Sequence, residues 1–333
     1  MGIPAPIVAG AVVTGASFGD KLSPLSDSTN LAAATAQAGL FDHVRHMLKT
    51  TVPSFLLALV VYGIISTTLD ANAGNPEVIE KLTSVIDANF KISPLIFIPP
   101  MIIILMIGFK VPPVPGMLVG VIAGVVMCFY QGADVGTILT TIYSGPTIET
   151  KNEMVDKLLA RGGLLFMMET ISLVICALSF GGAIKAIGAV DTIIETILKH
   201  VRRRGSIIAT NVVMSIFCNF AAADQYMSIV IPGQMYKKVY KQLNMAPENL
   251  SRTLEDAGTL TSGLVPWSTC GAVYLATLNV SAFAYGRYHL IGIINPIIAI
   301  IYAYAGIFLN PLDKSKPIKT RLTDEDIAEM DRA

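Results

Sequence analysis

Long runs of apolar residues without a single charge recur along this chain of 333 residues. Residues 51–69 and 290–309 contain no Asp, Glu, Lys or Arg, and each approaches the ~20 residues that a helix needs to cross a bilayer. Only 14% of the residues are charged and the mean hydropathy is +0.61, whereas soluble domains carry roughly 25% charged residues. The sequence therefore predicts an all-α polytopic membrane protein.

Composition also excludes several functional classes. The formal net charge is zero and the basic residues lie in short loops, so no broad positive face is expected to bind nucleic acid. The four cysteines are widely spaced in apolar stretches, without a CxxC pair, which favours buried thiols. No glycine-rich phosphate loop is present in the sequence, so ATP-driven transport gains no support. No cofactor is expected.

The basic residues predict how the chain crosses the bilayer. Further predicted spans are 94–109, 114–130, 163–183 and 258–280, with a longer apolar region at 206–235. Lys and Arg concentrate in cytoplasmic loops, which places 40–50, 199–204, 236–252 and the tail in the cytoplasm. Because both flanks of 206–235 are basic, we predict that this region is a re-entrant helical hairpin. Its tip would lie near Asn219 and Asp224, in a polar cavity.

Two polar segments resemble each other across the chain. Aligning 19–34 with 258–273 pairs Gly19 with Gly258 and Ser23 with Ser262, and each segment precedes one of the two charge-free spans. The loop charges give those spans opposite directions. This pattern predicts an inverted-topology repeat with paired broken helices, a recurrent design of secondary transporters.

The repeat also predicts the domain organisation. Residues 1–109 are expected to be the C-terminal part of the first repeat, 114–310 the second repeat and 311–333 a cytoplasmic tail. The spans that should precede the first polar segment are missing. We therefore expect either a fragment of a longer protein or an internal Met taken as the start.

Carboxylates in apolar surroundings are the candidates for ion binding, because burying an ionisable group in a membrane costs about 2.5–3.5 kcal/mol on insertion scales. The candidates are Asp20, Asp27, Glu169, Asp224 and Asp256. A buried carboxylate can hold a proton or a cation in turn, and oxygen ligands suit a hard cation. Asp27 and Asp224 are the predicted Na+ ligands. The further candidates for ion or substrate binding are Ser23, Ser26, Thr29, Asn30, Asn219, Thr259, Thr261, Ser262, Trp267, Ser268 and Thr269.

Each candidate has a structural alternative. Asp27 precedes LAAATAQ and could cap a helix. Asp20 could form an interfacial ion pair with its neighbour Lys21, and Asp256 could face the cytoplasm. Trp267 could be an interfacial anchor, a gate or a platform for an organic substrate. The HVRH segment at 43–46 does not match the HExxH motif, so zinc hydrolysis gains no support. It is expected to be a solvated interfacial helix, with pH sensing as the alternative.

The stretches FGDKLSPLSDSTNLAAA, LFDHVRHMLKTTVPSF, NLSRTLEDAGTLTSGLVPWSTCGAVYLATL and INPIIAIIYAYAGI cover nearly the whole chain. They resemble the NhaC family of Na+/H+ antiporters. The resemblance implies a secondary transporter of a prokaryotic inner membrane, with sodium and protons as cargo and no enzymatic activity. A homodimer is a further possibility. The family also includes malate/lactate antiporters that share these motifs, so the cargo stays open between cations and small carboxylic acids.

In the organic-acid alternative, malate would be exchanged for sodium and lactate, with carboxylates held by Lys21, Lys185 or the hydroxyl-rich breaks. An intramembrane aspartyl protease is the remote alternative, because Gly19-Asp20 and Asp224 are two carboxylates in apolar surroundings. Enzymes of that kind carry a GxGD motif together with a YD dipeptide. Here the three residues before Asp20 are Ser-Phe-Gly, and the residue immediately before Asp224 is Ala rather than Tyr.

Overall fold

The computed structural model describes residues 3–69, 83–88, 91–109, 111–146 and 201–332, together with scattered positions between 156 and 196. Two compact units are present, one formed by residues 71–176 and the other by residues 2–70 with 177–333. Within the described residues the regular structure is helical apart from two isolated β-bridges. The predicted all-α character is confirmed.

In the unit of residues 71–176, residues 83–88 are helical, and three longer helices follow them. They are α4 (Ile98–Gly108), which follows a 3-10 turn, α5 (Pro113–Gln131) and α6 (Val135–Ser144). Helices α4 and α5 pack so closely that a Cβ on Gly120 would lie 2.6 Å from the Ile103 side chain. The predicted repeat boundary at 109–114 falls between these two helices. A repeat boundary need not coincide with a packing boundary, so that assignment stays a prediction.

The other unit begins with α1 (Ala5–Leu22), α2 (Asp27–Ala36) and α3 (Leu40–Thr67). Helix α1 ends before Pro24, which disfavours helical backbone in the residue before it. The Asn30 amide closes the break by donating to the carbonyls of Pro24 at 2.9 Å and Ser26 at 2.7 Å.

Helix α3 corrects the prediction for residues 40–50. This segment forms the first turns of a helix of 28 residues, about 42 Å long at 1.5 Å per residue. His43 is fully buried and His46 is 2% exposed, so the prediction of a solvated HVRH segment is wrong. The Ser251 hydroxyl lies 2.7 Å from Nδ1 of His43, because the helix that contains Ser251 packs along this part of α3.

Helices α7 (Arg204–Ala222) and α8 (Gln225–Gln242) form an antiparallel hairpin. Ala223 makes the turn with a φ of 56°. The early part of α7 faces the late part of α8, since the Asn211 amide donates to the Tyr240 hydroxyl at 3.3 Å. The main hydrophobic core fills this hairpin and the helices beside it, with Ile207, Tyr236 and Leu250 among its buried members.

The last part of the unit is interrupted several times. Helix α9 (Pro247–Leu254) continues through a π-helical turn at Glu255–Thr259 and one final turn at Leu260–Ser262. After a break, α10 (Thr269–Leu278), α11 (Ala282–Tyr285) and α12 (Leu290–Ala305) follow.

Three helices of the described residues are long and apolar enough to cross a membrane, namely α3, α5 and α7. The segment from Ala282 to Ala305 would be a fourth span, bent by 55°. Predicted span 163–183 lies largely outside the described residues.

The chain ends in a tail that holds both flanks of the α7–α8 hairpin. The backbone N–H of Arg204 donates to Thr320 at 2.9 Å, and that of Leu322 to Arg202 at 3.0 Å. Beyond the other end of the hairpin, the N–H of Lys319 donates to Leu243 at 3.0 Å and that of Ala246 to Asn310 at 2.9 Å. Both flanks of the hairpin therefore lie at the same end of this unit.

Helix α13 (Asp324–Arg332) closes the tail, and Asp326 fixes its start. The Asp326 carboxylate accepts from Nζ of Lys319 at 2.5 Å and from the backbone N–H of Thr323 at 2.9 Å. The Thr323 hydroxyl accepts in return from the Asp326 N–H at 3.2 Å, which completes a reciprocal capping arrangement. Burial alone would raise the pKa of Asp326, but Lys319 and Thr323 outweigh it and lower this pKa.

The lowered pKa of Asp326 predicts acid sensitivity of the tail. A carboxyl whose pKa is depressed by folding stabilises the folded form above its ordinary pKa of about 3.9, and this contribution is lost as the pH falls through the folded value. After correction for the intrinsic pH dependence of amide exchange, the backbone amides of α13 should therefore be less protected and exchange faster below about pH 4. Asp326→Asn should show that faster exchange already at neutral pH. The exposed Glu325 supplies the control Glu325→Gln, and equal exchange in both variants would contradict the assignment.

Candidate functional site

Both polar segments of the predicted repeat contain helix breaks in the structure. The first lies at residues 23–26 between α1 and α2, and the second lies at 263–268 between the last turn of α9 and α10. The Thr29 hydroxyl donates to the Lys21 carbonyl across the first break at 3.0 Å. At the second break, the Ser268 hydroxyl donates to the Ser262 carbonyl at 2.7 Å and accepts from the Gly271 N–H at 3.0 Å. Hydroxyl side chains thus satisfy backbone groups that the breaks release.

A buried ion pair joins α1 to the π-helical turn. Nζ of Lys21, on α1, donates to Oδ1 of Asp256 in the π-helical turn, and both side chains have 0% exposure. The same oxygen accepts from the Thr50 hydroxyl at 2.9 Å and from the Asn295 amide at 2.8 Å. Three donors from α1, α3 and α12 therefore hold one carboxylate oxygen, and one of them is the cationic Lys21 ammonium group.

Further polar groups brace this ion pair. The Asn295 oxygen accepts from the Ser54 hydroxyl at 2.8 Å, which orients the amide so that its NH2 group faces Asp256. Nε of Arg252 lies 3.9 Å from Oδ2 of Asp256. Nη1 of Arg252 donates to the Phe308 carbonyl at 2.7 Å. We call Lys21, Thr50, Arg252, Asp256 and Asn295 the buried charge cluster.

Glu255 lies beside this cluster without comparable partners. Its side chain has 0% exposure, and among the described residues neither of its carboxylate oxygens has a hydrogen bond of good geometry. The Thr259 hydroxyl, one turn along, interacts with it only weakly in comparison with burial. Burying a carboxylate without such partners is costly, so Glu255 and Asp256 have different environments although they are adjacent.

The π-helical turn also exposes backbone to a neighbouring helix. The Gly258 carbonyl accepts from the Asn219 amide at 2.6 Å, and the same amide group donates to the Thr261 hydroxyl at 2.9 Å. A Cβ on Gly258 would lie 2.8 Å from the Ser228 hydroxyl and 3.1 Å from its carbonyl oxygen. Glycine is therefore required for the close approach of α8. Single π-helical turns inside α-helices are frequent at functional sites.

A second group of polar residues lies at the tip of the α7–α8 hairpin. Asp224 caps α8, with Oδ1 accepting from the N–H groups of Tyr226 at 2.8 Å and Met227 at 3.1 Å. Its other oxygen, Oδ2, accepts from the Thr269 hydroxyl at 3.3 Å. The Tyr226 hydroxyl donates to Oδ2 of Asp27 at 2.6 Å. We call Asp27, Asp224, Tyr226 and Thr269 the hairpin-tip cluster.

The structure brings several predicted residues together and separates others. Asp27, Asp224 and Thr269 belong to the hairpin-tip cluster, and Asp256 belongs to the buried charge cluster. Asp256 is fully buried, so the alternative in which it faces the cytoplasm is wrong. Residues that brace the breaks or the π-helical turn are Ser23, Ser26, Thr29, Asn30, Asn219, Thr261, Ser262 and Ser268.

Three predicted residues, namely Asp20, Trp267 and Thr259, have other surroundings. Asp20 is exposed, and its predicted ion pair with Lys21 is wrong because Lys21 binds Asp256. Trp267 is 55% exposed and donates from its indole N–H to the Phe220 carbonyl at 3.0 Å. Thr259 lies in the π-helical turn. Glu169 lies outside the described residues, as does Lys185.

Sequence reasoning missed Thr50, Ser54 and Asn295 as partners of a carboxylate, and it missed Glu255. Thr50 and Ser54 are four residues apart on one face of α3, and Asn295 is the polar residue in a charge-free span. Lys21, two residues before the first hydroxyl-rich break, was a usable signal, because a cation at that depth requires an anionic partner.

No group of three or more His, Cys, Asp or Glu side chains is placed to hold a metal ion in the part of the chain that the structure describes. A transported alkali cation has different requirements, since carboxylate, hydroxyl and carbonyl oxygens can hold it. Such oxygens are concentrated at the hairpin tip. The buried charge cluster contains an ion pair, and Glu255 adds a buried carboxyl group without hydrogen-bond partners of good geometry among the described residues.

Apolar spanning helices, two helix breaks and buried charged residues between them are the features of a polytopic membrane transporter. The model of the Na+/H+ antiporter family matches residues 15–307. The chain belongs to this family.

The chain is similar to curated proteins of the same kind. It is 40% identical to the Na+/H+ antiporter NhaC of Alkalihalophilus pseudofirmus over 92% of this chain and 66% of that protein. Identity to NhaC of Bacillus subtilis is 34%, over 91% of this chain and 67% of the relative. The malate-2H+/Na+-lactate antiporter of Bacillus subtilis is 32% identical over 93% of this chain and 66% of that protein. The chain thus spans about two thirds of the length of these relatives. No solved structure matches.

Proposed function

We propose that this protein exchanges sodium ions for protons across the plasma membrane of a prokaryote. The observation that carries the proposal is a pair of adjacent, fully buried carboxyl groups with opposite surroundings. Asp256 is held by Lys21, Thr50 and Asn295, whereas Glu255 lacks such donors among the described residues. Membership of the Na+/H+ antiporter family agrees with this assignment. Buried carboxyls of this kind allow proton and cation binding to be linked.

The hairpin-tip cluster is the proposed sodium site. Oδ2 of Asp224 and the Thr269 hydroxyl are 3.3 Å apart, and Asp27 is tied to the same tip through Tyr226. Two carboxylates and a hydroxyl supply hard oxygen ligands. The Asp224 side chain also lies at the N-terminus of α8, where the partial positive charge of the helix favours a negatively charged group.

Alternating access requires that the hairpin and the broken helices meet the membrane from defined sides. We place both flanks of the α7–α8 hairpin in the cytoplasm with the tail, so that the hairpin is re-entrant and the C-terminus is cytoplasmic. The tail supports this placement because it pairs with Arg204 at one flank and with Leu243 and Ala246 at the other. The basic residues of these segments are typical of cytoplasmic loops. The inverted repeat remains part of this proposal.

Organic-acid exchange is the second candidate, favoured by the similarity to the malate-2H+/Na+-lactate antiporter. A dicarboxylate would require a cationic partner in the membrane. Lys21 could serve only after leaving Asp256, which is buried with it. The occupied ion pair therefore favours the cation-only exchange.

The test uses the complete reading frame, purified and reconstituted in proteoliposomes with a pH-sensitive dye inside. We expect NaCl added outside to alkalinise the lumen, because sodium enters in exchange for protons. An equal addition of choline chloride should have no effect. Malate and lactate are added in separate arms. Proton movement that requires an organic acid would replace the proposal with the second candidate, and no sodium-dependent movement in any arm would refute both.

A further inference from the structure

We propose that Glu255 is the proton-binding site of the exchange, and that Asp256 keeps its ion pair with Lys21 throughout the cycle. This inference rests on the proposed function, and it assigns one of the two exchanged ions, the proton, to a particular residue. Glu255 has 0% exposure, and neither of its carboxylate oxygens is hydrogen bonded in good geometry within the described residues. A proton or a nearby cation removes the cost of burying this carboxylate.

Asp256 is a poor candidate for the same role. Its Oδ1 already accepts from Lys21, Thr50 and Asn295. Adding a proton to this carboxylate would discard the charge that matches Lys21 and leave a cation buried without its partner. Removing one member of a buried ion pair is strongly unfavourable. Of the two adjacent carboxyls, Glu255 is therefore the one that can change protonation state without dismantling the cluster.

The charged groups that act on Glu255 come from α1 and from its own turn. They are Lys21, Asp20 and Asp256. Helices α7 and α8 approach this turn with Asn219 and Ser228, which carry no charge. Lys21 is already paired with Asp256, so it compensates a second negative charge only in part.

This arrangement links the two ions. When the site opens to one side of the membrane, the Glu255 carboxyl releases its proton to water on that side. One negative charge then remains on Glu255, in surroundings that are otherwise buried. That charge favours binding of a cation nearby, and sodium binding in turn favours loss of the proton. Asn219, in the last turn of α7 before the hairpin tip, donates to Gly258 and Thr261, so the end of α7 that leads to the hairpin-tip cluster is hydrogen bonded to the segment that follows Glu255.

The test counts protons released when sodium binds to the purified, complete protein. Titration calorimetry in buffers of different ionisation enthalpy should give about one proton released per sodium in the wild type, and about tenfold tighter sodium binding per pH unit where Glu255 titrates. Glu255→Gln should release none and show sodium affinity independent of pH. Glu248 lies on the same helix, α9, and accepts from Asn310 at 2.8 Å, so Glu248→Gln is the matched control.

Further measurements keep the inference testable if Glu255→Gln folds poorly. Glu255→Asp retains a carboxyl and should retain proton release. In the wild type, infrared spectra should show the C=O band of a protonated carboxyl disappear when sodium is added. Wild-type proton release in Glu255→Gln, or no loss of that band, would overturn the assignment of Glu255. Absence of sodium binding in the wild type would instead refute the proposed function.

Discussion

Replacing Lys21 by methionine should abolish sodium-dependent proton movement and lower the stability of the protein substantially. Lys21 and Asp256 are both fully buried, and removing one partner of such a pair costs about 3–5 kcal/mol because the other charge stays behind uncompensated. Total stabilities of folded domains are of order 5–15 kcal/mol. We therefore expect a marked decrease of the melting temperature, measured by size-exclusion chromatography after heating, and a reduced yield of monodisperse protein.

A matched control separates loss of charge from loss of the ion pair. Lys314 is exposed in the tail, so Lys314→Met should leave melting temperature and transport close to the wild-type values. The double variant Lys21→Met, Asp256→Leu should recover much of the stability, because apolar residues can replace a buried ion pair. It should not recover transport. A Lys21→Met protein with wild-type melting temperature would contradict the structural role that we assign to the pair.

Local sequence patterns predicted the helices that local composition determines. Helix α5 occupies almost the same residues as predicted span 114–130, since an apolar run bounded by Pro113 and Gly132 leaves few alternatives. Helix α12 begins where the charge-free run begins, at Leu290, and ends at Ala305 before Gly306, whose φ of 70° favours glycine.

The prediction for α3 went wrong because burial of polar residues depends on partners elsewhere in the chain. His43, Arg45 and His46 resemble a loop beside water when they are considered alone. In the structure, His43 contacts Ser251, which is 208 residues away in sequence. No local pattern records such a contact, so the helix started more than two turns before the predicted span.

Only part of the candidate site could be predicted, because contacts between distant residues leave no local pattern. Asp27 and Asp224 were named as candidates because isolated carboxylates in apolar sequence stand out. The partners of Asp256 were not found, because Lys21 and Asp256 are separated by 235 residues and Thr50 and Asn295 come from two further helices. Glu255 could not be distinguished from Asp256 in the sequence, since the different hydrogen bonding of two adjacent carboxyls appears only after packing.

Asp224 should have two separable roles, and a pair of substitutions distinguishes them. As the N-cap of α8 it accepts from Tyr226 and Met227, and Asn caps a helix about as well as Asp does, whereas Ala costs about 1 kcal/mol. Asp224→Asn should therefore fold with nearly wild-type stability. Asp224→Ala should be measurably less stable.

Both substitutions should weaken sodium binding, because each removes the negative charge at the hairpin tip. We expect the half-saturating sodium concentration in the dye assay to rise about tenfold or more, equivalent to at least ~1.4 kcal/mol. Asp134 provides the control, since it caps α6 in the same way by accepting from Gly136 and Thr137. Asp134→Asn should leave sodium dependence unchanged. Unchanged sodium dependence in Asp224→Asn would restrict Asp224 to helix capping and move the proposed sodium site away from the hairpin tip.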